Sequence, residues 1–176
     1  MMKSLNTPLT KKDIAGLKSA EEVLFSGLIY TARDQAHKRL VYALESGKEL
    51  PMELKGQVIY YCGPTPKPKS KIIGSCGPTT SSRMDAFTPA LLKAGLLGMI
   101  GKGGRSKEVI MAIKREKAVY FLTYAGCAAL LSQYVKSCKL VAYPDLGPEA
   151  IYALRVKDFP LIVGIDSTGR SVYDKD

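Results

Sequence analysis

Apolar runs alternate with amphipathic stretches along most of this chain, a pattern typical of strands and helices that follow one another. Strands are predicted at residues 22–30, 57–62, 71–75, 96–100, 118–124 and 140–143. Helices are predicted after a capping box formed by Thr31 and Asp34, after Thr88-Pro89, after an N-cap at Ser106 and from residue 126. The ends of the chain are richer in strands than the middle. This order predicts an α/β fold with a mixed sheet.

Length and organisation favour a single domain. The chain has 176 residues, no internal repeat and no long linker, so one domain over residues 1–176 is predicted. Residues 1–20 are polar and mixed, and we interpret them as an N-terminal extension of that domain. The apolar fraction of 46% and the charged fraction of 24% are typical of a soluble globular protein.

The charge of the chain raises nucleic acid as a partner. There are 26 basic and 16 acidic residues, which gives a net charge of +10. The lysines are spread along the chain, and the densest group, residues 65–71, lacks the interleaved aromatic side chains of a base-stacking surface. A solvated lysine-rich surface is therefore the favoured interpretation, and a basic nucleic-acid-binding domain is the distant alternative.

The sequence also predicts the cellular compartment of the chain and whether it binds a metal. The sequence has no apolar run long enough for a transmembrane helix and no signal-peptide pattern at its start, so a cytoplasmic location is expected. The four cysteines, Cys62, Cys76, Cys127 and Cys138, form no C-x-x-C pair. We interpret them as free thiols and predict no metal site in this chain.

Two loops rich in glycine and hydroxyl side chains carry the candidate chemistry, at residues 74–85 and 101–106. Three cations, Arg33, Arg83 and Lys102, stand where apolar strands give way to turns. In open α/β sheets ligands bind at that edge. Arginine matches a carboxylate with two parallel hydrogen bonds, and lysine adds a compact charge. The three cations together predict a site for a small dicarboxylate.

Other titratable residues offer weaker signals. Asp34, Asp85, Asp145 and Glu149 are candidate general acids, but none is paired at a recognisable spacing, so helix caps or turns are favoured. The single histidine, His37, shares a helix face with leucines and is interpreted as a histidine at the edge of the core.

Four ordered segments carry a family resemblance. They read TARDQAHKR at residues 31–39, YCGP at 61–64, GPTTSSRMD at 77–85 and GKGGRS at 101–106. Together they resemble class I fumarate hydratases. The similarity is to the C-terminal domain of that family, which also occurs as the separate beta subunit of two-subunit fumarases and of L(+)-tartrate dehydratase. It extends from about residue 23 to the C-terminus.

The resemblance implies a swivelling β/β/α domain that closes over a [4Fe–4S] cluster held by an alpha subunit. It implies a hydro-lyase subunit that is inactive without this partner, in a hetero-oligomer or as a homodimer when alone. Fumarate hydratase is the favoured activity, and an L(+)-tartrate dehydratase or mesaconase beta subunit is the alternative. The cysteines of this chain do not match the cluster ligands of the family.

The resemblance also implies roles for individual residues. Thr79 is implied as the residue that abstracts a proton, with Lys102 as the second catalytic group. Arg33, Arg83 and Lys102 are implied to bind the substrate carboxylates and hydroxyl. Residues expected to lie behind these groups are His37, Asp34, Asp85 and Arg105.

Overall fold

Strands and helices alternate through the chain in the computed structural model, which describes residues 2–174. The strands are β1 Lys3–Asn6, β2 Glu22–Thr31, β3 Val58–Tyr60, β4 Gly98–Gly101, β5 Val119–Leu122, β6 Val135–Ala142 and β7 Ile151–Ile165. The helices are α1 Lys11–Ala15, α2 Asp34–Glu45, α3 Thr88–Lys93, α4 Lys107–Glu116 and α5 Ala128–Leu131. Short 3-10 turns cover Ser81–Met84, Ser132–Tyr134 and Pro144–Glu149. The predicted α/β class is confirmed.

The sheet is mixed and closes on itself. Its strand order is β1-β2-β3-β4-β5-β7-β6, and the first five strands pair in parallel. Strand β7 runs antiparallel to β5 and β6 and also pairs with β2. Strands β2, β3, β4, β5 and β7 therefore form a closed ring. A ring has fewer free strand edges than an open sheet of the same size.

Alternation along the strands divides the core into two clusters. In β3 and β4, Val58, Tyr60 and Ile100 belong to the cluster inside the ring. Their sequence neighbours Ile59 and Met99 belong to a second cluster, formed with α2, α3 and α4. Because successive strand side chains point to opposite faces, the ring is filled on one side and covered by helices on the other. This buries the parallel strands on both faces.

Helix α2 begins later than a capping box at Thr31 and Asp34 would require. Thr31 is the last residue of β2, and the N-cap of α2 is Arg33. The Thr31 hydroxyl accepts a hydrogen bond from the Tyr152 backbone N–H at 3.1 Å and donates to the Ala150 carbonyl at 3.4 Å. The capping prediction was wrong because this hydroxyl holds β7 against β2.

Two other segments differ from the predicted pattern. Residues 71–74 form bends and residue 75 is irregular, so the strand predicted at 71–75 does not form. They belong to a loop whose base is closed by Thr65 and Ser75, with the Thr65 N–H donating to the Ser75 carbonyl at 3.0 Å. The strand list from the sequence also stops at residue 143, whereas β7 runs over Ile151–Ile165, because both of its halves find partners in β2.

The N-terminal residues pack as part of the sheet. Strand β1 pairs in parallel with residues 23–26 of β2. Helix α1 follows with a capping box, in which Thr10 and Asp13 hydrogen-bond to each other's backbone N–H. Across the residues that the structure describes, no helix has the length and hydrophobicity needed to cross a membrane.

Candidate active site

The predicted site residues come to one edge of the sheet. Arg33 follows β2 and Lys102 follows β4. Thr79 lies beside the end of β3, because its backbone N–H donates to the Tyr61 carbonyl at 2.7 Å. Strands β2, β3 and β4 are adjacent and parallel, so their carboxyl ends share an edge. This is the edge at which α/β sheets bind ligands.

Arg33 is held in place from two sides. Its Nη2 lies 3.5 Å from Oε1 of Glu149, in a pair whose side chains are each about a fifth to a quarter exposed. The backbone of Gly63 lies against the same guanidinium, since a Cβ at that position would be 2.8 Å from Arg33 Nη1. The Nε of Arg33 is buried and has no hydrogen-bond partner among the described residues. The arginine is therefore positioned but retains unused donor capacity.

Arg83 is tied to the start of the same helix. It lies on the 3-10 turn Ser81–Met84, and its Nε donates to Oδ1 of Asp34 at 3.0 Å. The Arg83 side chain is 49% exposed, so the rest of its guanidinium faces solvent. Because Asp34 follows Arg33 directly, this contact links the turn that carries Arg83 to the segment that carries Arg33.

Lys102 is connected to the threonine loop by Ser81. The Lys102 backbone N–H donates to Ser81 Oγ at 3.1 Å, and the Ser81 N–H donates to the Lys102 carbonyl at 3.0 Å. Tyr120 Oη lies 2.8 Å from both Ser81 Oγ and the Gly103 carbonyl. A phenol has one proton, which must go to the carbonyl, so the serine hydroxyl donates to the phenol. This network locks the Thr79 loop onto the Lys102 loop.

Arg105 is a buried structural cation. Its side chain is fully buried, and its Nε donates to Oδ1 of Asp85 at 2.7 Å. Its Nη2 donates to the hydroxyl of Thr88 at 2.7 Å. The guanidinium also stacks on the rings of Tyr61 and Tyr120, at 5.3 and 4.9 Å from the ring centroids. Because its guanidinium is already engaged by these groups, Arg105 supports the site from behind.

His37 is also buried behind the site. Its Nδ1 lies 2.8 Å from the Arg33 carbonyl, which can only accept, so the proton is assigned to Nδ1. Burial is the main cause that lowers the pKa of His37 to about 4, and the Arg105 charge adds to it against the opposing Arg33 hydrogen bond. His37 is therefore neutral near pH 7. It contacts the backbone of Arg33 and packs edge-on against Tyr61.

The remaining candidate acids serve as caps and ion-pair partners, as the sequence favoured. Glu149 Oε2 accepts from the Gln35 N–H at 3.2 Å in the first turn of α2. Asp145 pairs with Arg39 on the surface. Ser81 and Tyr120 were not singled out from the sequence. Their contact spans 39 positions and leaves no local pattern.

The cysteines stay free, with Cys62 and Cys76 buried and Cys127 and Cys138 partly buried. Within residues 2–174, no three histidine, cysteine, aspartate or glutamate side chains come together in a way that could hold a metal ion.

The chain matches one known protein family over nearly its full length. The family described as Fumarase C-terminus matches residues 2–176, which is nearly the entire chain. The chain belongs to this family, and the resemblance drawn from its loops is confirmed. The match begins at residue 2, well before residue 23, at which the resemblance of the loops begins.

Individual relatives carry the names of hydro-lyases. A Methanocaldococcus jannaschii protein with the provisional name L(+)-tartrate dehydratase subunit beta is 42% identical over 95% of this chain and 89% of its own length. The aerobic class I fumarate hydratase of Escherichia coli is 36% identical over 97% of this chain and 32% of its own length. Fumarate hydratase 2 of Leishmania major is 36% identical over 87% of this chain and 27% of its own length. The chain thus spans about a third of these fumarate hydratases.

Proposed function

We propose that this chain is the beta subunit of an iron–sulfur hydro-lyase that interconverts fumarate and malate. The observation that carries the proposal is the arrangement of Arg33, Arg83, Lys102 and Thr79 along one edge of the sheet. That edge is open, since the Arg83 side chain is 49% exposed and Lys102 and Thr79 are only partly buried. An open row of cations beside a hydroxyl fits half of a dicarboxylate site, to be completed by another chain.

The other half belongs to an alpha subunit that holds a [4Fe–4S] cluster. The family resemblance supports this division, and so does the subunit name of the archaeal relative. When bound there, such a cluster supplies Lewis-acid chemistry to the substrate hydroxyl. The free thiols of this chain fit a reducing, cytoplasmic setting for the assembly.

The residues of this chain bind the carboxylates and move a proton. When malate loses water, a proton leaves the carbon next to one carboxylate and negative charge spreads into that carboxylate. Fixed cations placed where this charge develops lower the barrier. Arg33 and Arg83 supply planar guanidinium donors, and Lys102 supplies a compact charge. Thr79 takes the proton as an alkoxide, whose negative charge the neighbouring cations Arg83 and Lys102 stabilise, and becomes the neutral hydroxyl; the transfer is direct or through a water molecule.

L(+)-tartrate is the second candidate substrate. The relative with that name is 42% identical and is similar in length to this chain, whereas the fumarate hydratases are about three times longer. Tartrate and malate differ by one hydroxyl, which a hydrogen-bonding site discriminates strongly when it is built for that group. Mesaconate carries one methyl group more than fumarate, so its turnover tests whether the same pocket accommodates an added apolar group.

An anaerobic pull-down with this chain as bait tests the proposal. The eluate is assayed for iron and for hydration or dehydration of fumarate, L(+)-tartrate and mesaconate. We expect an iron–sulfur protein to co-purify with one of these activities, while the chain alone has none. An eluate without iron and without activity would overturn the proposal. Salt-sensitive binding to DNA or RNA would then favour the nucleic-acid alternative.

Variants of the site residues test their proposed roles in the assembled enzyme. Arg83→Lys keeps the charge but loses the guanidinium fork, so kcat/KM should fall about tenfold or more.

Thr79→Ala should lower kcat with the melting temperature unchanged, and Thr79→Ser should retain most of the activity. If Thr79→Ser is as inactive as Thr79→Ala, the methyl group and not the hydroxyl is the requirement.

A further inference from the structure

A groove of about 430 Å³ opens beside the candidate active site. It lies between the loop of residues 64–74 and the neighbouring ends of β6 and β7, and we call it the β6 groove. Its apolar lining includes Pro64, Ile72, Ile73, Leu140, Pro148 and Tyr152. Nothing in the proposed chemistry uses these side chains.

The groove is continuous with the row of cations. Pro148 lines the groove, and the next residue, Glu149, forms the ion pair with Arg33. At the other wall, Pro64 follows Gly63, whose backbone lies against the Arg33 guanidinium. A Cβ at position 63 would also lie 3.2 Å from the Pro148 carbonyl. A chain seated in the groove would therefore lie next to Arg33 at the candidate active site.

Two large apolar side chains at the groove remain open to solvent. Ile72 is 46% exposed and Leu140 is 44% exposed, on opposite walls of the same groove. Single exposed apolar residues are ordinary on protein surfaces, but a pair that lines one concave groove is typical of an interaction site. The groove is also preformed, since Thr65 and Ser75 close the base of the loop through hydrogen bonds of 3.0 and 2.8 Å.

The charge at the groove is positive. Lys67 lines it, and the other loop lysines, Lys69 and Lys71, are exposed beside it. Among residues 2–174, no aspartate or glutamate lines the groove. This pattern complements an apolar segment flanked by acidic residues, because opposite charges at the rim of an interface orient the two partners.

We propose that the β6 groove docks an apolar segment with acidic flanks on the iron–sulfur alpha subunit. The identity of the partner rests on the proposed function, whereas the surface and its chemistry rest on the groove itself. Seating the partner there would cover Ile72 and Leu140 and would place the partner beside the open cationic edge. The fumarate hydratase relatives are about three times as long as this chain, so they contain ample additional sequence to form such a cover.

Charge placed in the groove tests this surface. The variants Ile72→Asp and Leu140→Asp are compared with Met111→Asp, which alters an apolar residue on α4 that is 61% exposed. Binding of the captured alpha subunit is measured anaerobically by titration, and each variant is first checked for an unchanged melting temperature. We expect the two groove variants to bind at least about tenfold more weakly, and the control to stay within about twofold.

A second pair of measurements tests the charge complementarity. Lys67→Glu should slow association and flatten its salt dependence, whereas Lys114→Glu on α4 should change neither.

Sedimentation of the chain alone tests a second copy as the occupant of the groove. A dimer that Ile72→Asp dissociates would overturn the assignment to the alpha subunit.

The two proposals fail in different ways. If the wild-type chain binds the alpha subunit with activity but Ile72→Asp and Leu140→Asp bind equally well, the groove assignment is wrong and the proposed function stands. If the wild-type chain captures no iron–sulfur protein, both proposals fail.

Discussion

At the scale of single residues, His37 shows how a buried polar group can be committed to one protonation state. Its Nδ1 is bonded to the Arg33 carbonyl, and its Nε2 is buried without a partner among the described residues. A proton on Nε2 would place a charge in an apolar site that already contains Arg105. The neutral ring instead supports the backbone from which Arg33 projects.

His37 should make stability fall in acid. Its pKa is about 4 in the folded chain and 6.5 when exposed, so between these values only the unfolded chain binds the extra proton. The free energy of unfolding should therefore decrease as the pH falls from about 6.5 to about 4, by up to about 3 kcal/mol. Urea unfolding of the wild type and of His37→Gln at both pH values measures this. Equal losses in the two proteins would contradict it.

Gly63 should control the placement of Arg33. In Gly63→Ala, the new Cβ would lie 2.8 Å from Arg33 Nη1, and the guanidinium is the flexible group that must move. We expect a several-fold higher KM in the assembled enzyme with little change in melting temperature. Gly16→Ala is the matched control, because a Cβ there has no heavy atom within 4 Å. A normal KM for Gly63→Ala would show that Arg33 tolerates displacement.

At the scale of secondary-structure elements, Arg105 and Asp85 join two helices and one strand. Asp85 accepts from the Arg105 side chain and also from the Ser106 N–H, immediately before α4 begins. Arg105 reaches Thr88 at the start of α3 and stacks on Tyr120 of β5. The sequence predicted the Ser106 cap of α4 correctly, since its hydroxyl accepts from the Val109 N–H. It could not show that the preceding arginine also contacts α3 and β5.

Replacing the Arg105 guanidinium should therefore lower the free energy of unfolding. Arg105→Lys cannot satisfy both Asp85 and Thr88, and it leaves buried polar groups without partners. We expect a loss of about 1–3 kcal/mol in the free energy of unfolding, because a buried hydrogen-bonding group is left without its partner. Arg115→Lys changes an exposed pair with Glu116 and should cost at most about 1 kcal/mol. Denaturant titration compares the two, and similar losses would remove Arg105 from this role.

At the scale of the whole molecule, closure of the ring depends on β7 returning to β2. The two Thr31 hydrogen bonds secure that junction at the end nearest the active site. Residues 31 and 152 lie 121 positions apart, so the contact forms only when the chain has folded.

Thr31→Val should test the closure of the ring. Valine keeps the shape but leaves the Tyr152 N–H and the Ala150 carbonyl without this partner, which should cost about 1–3 kcal/mol. Thr31→Ser retains the hydroxyl and should lose less. Hydrogen exchange should show faster exchange at the Tyr152 amide in the valine variant. Unchanged protection there would mean that strand pairing alone closes the ring.

The sequence by itself determined the alternation of elements, the Ser106 cap, the loops that carry Arg33, Arg83, Lys102 and Thr79, and the family. These features are local, because periodicity, caps and motifs depend on residues a few positions apart. Only the tertiary structure decided the ring, the burial of His37 and Arg105, the Ser81–Tyr120 link and the β6 groove. Each of these depends on groups far apart in the chain, whose contacts are set by how strands pair and helices pack and not by local pattern.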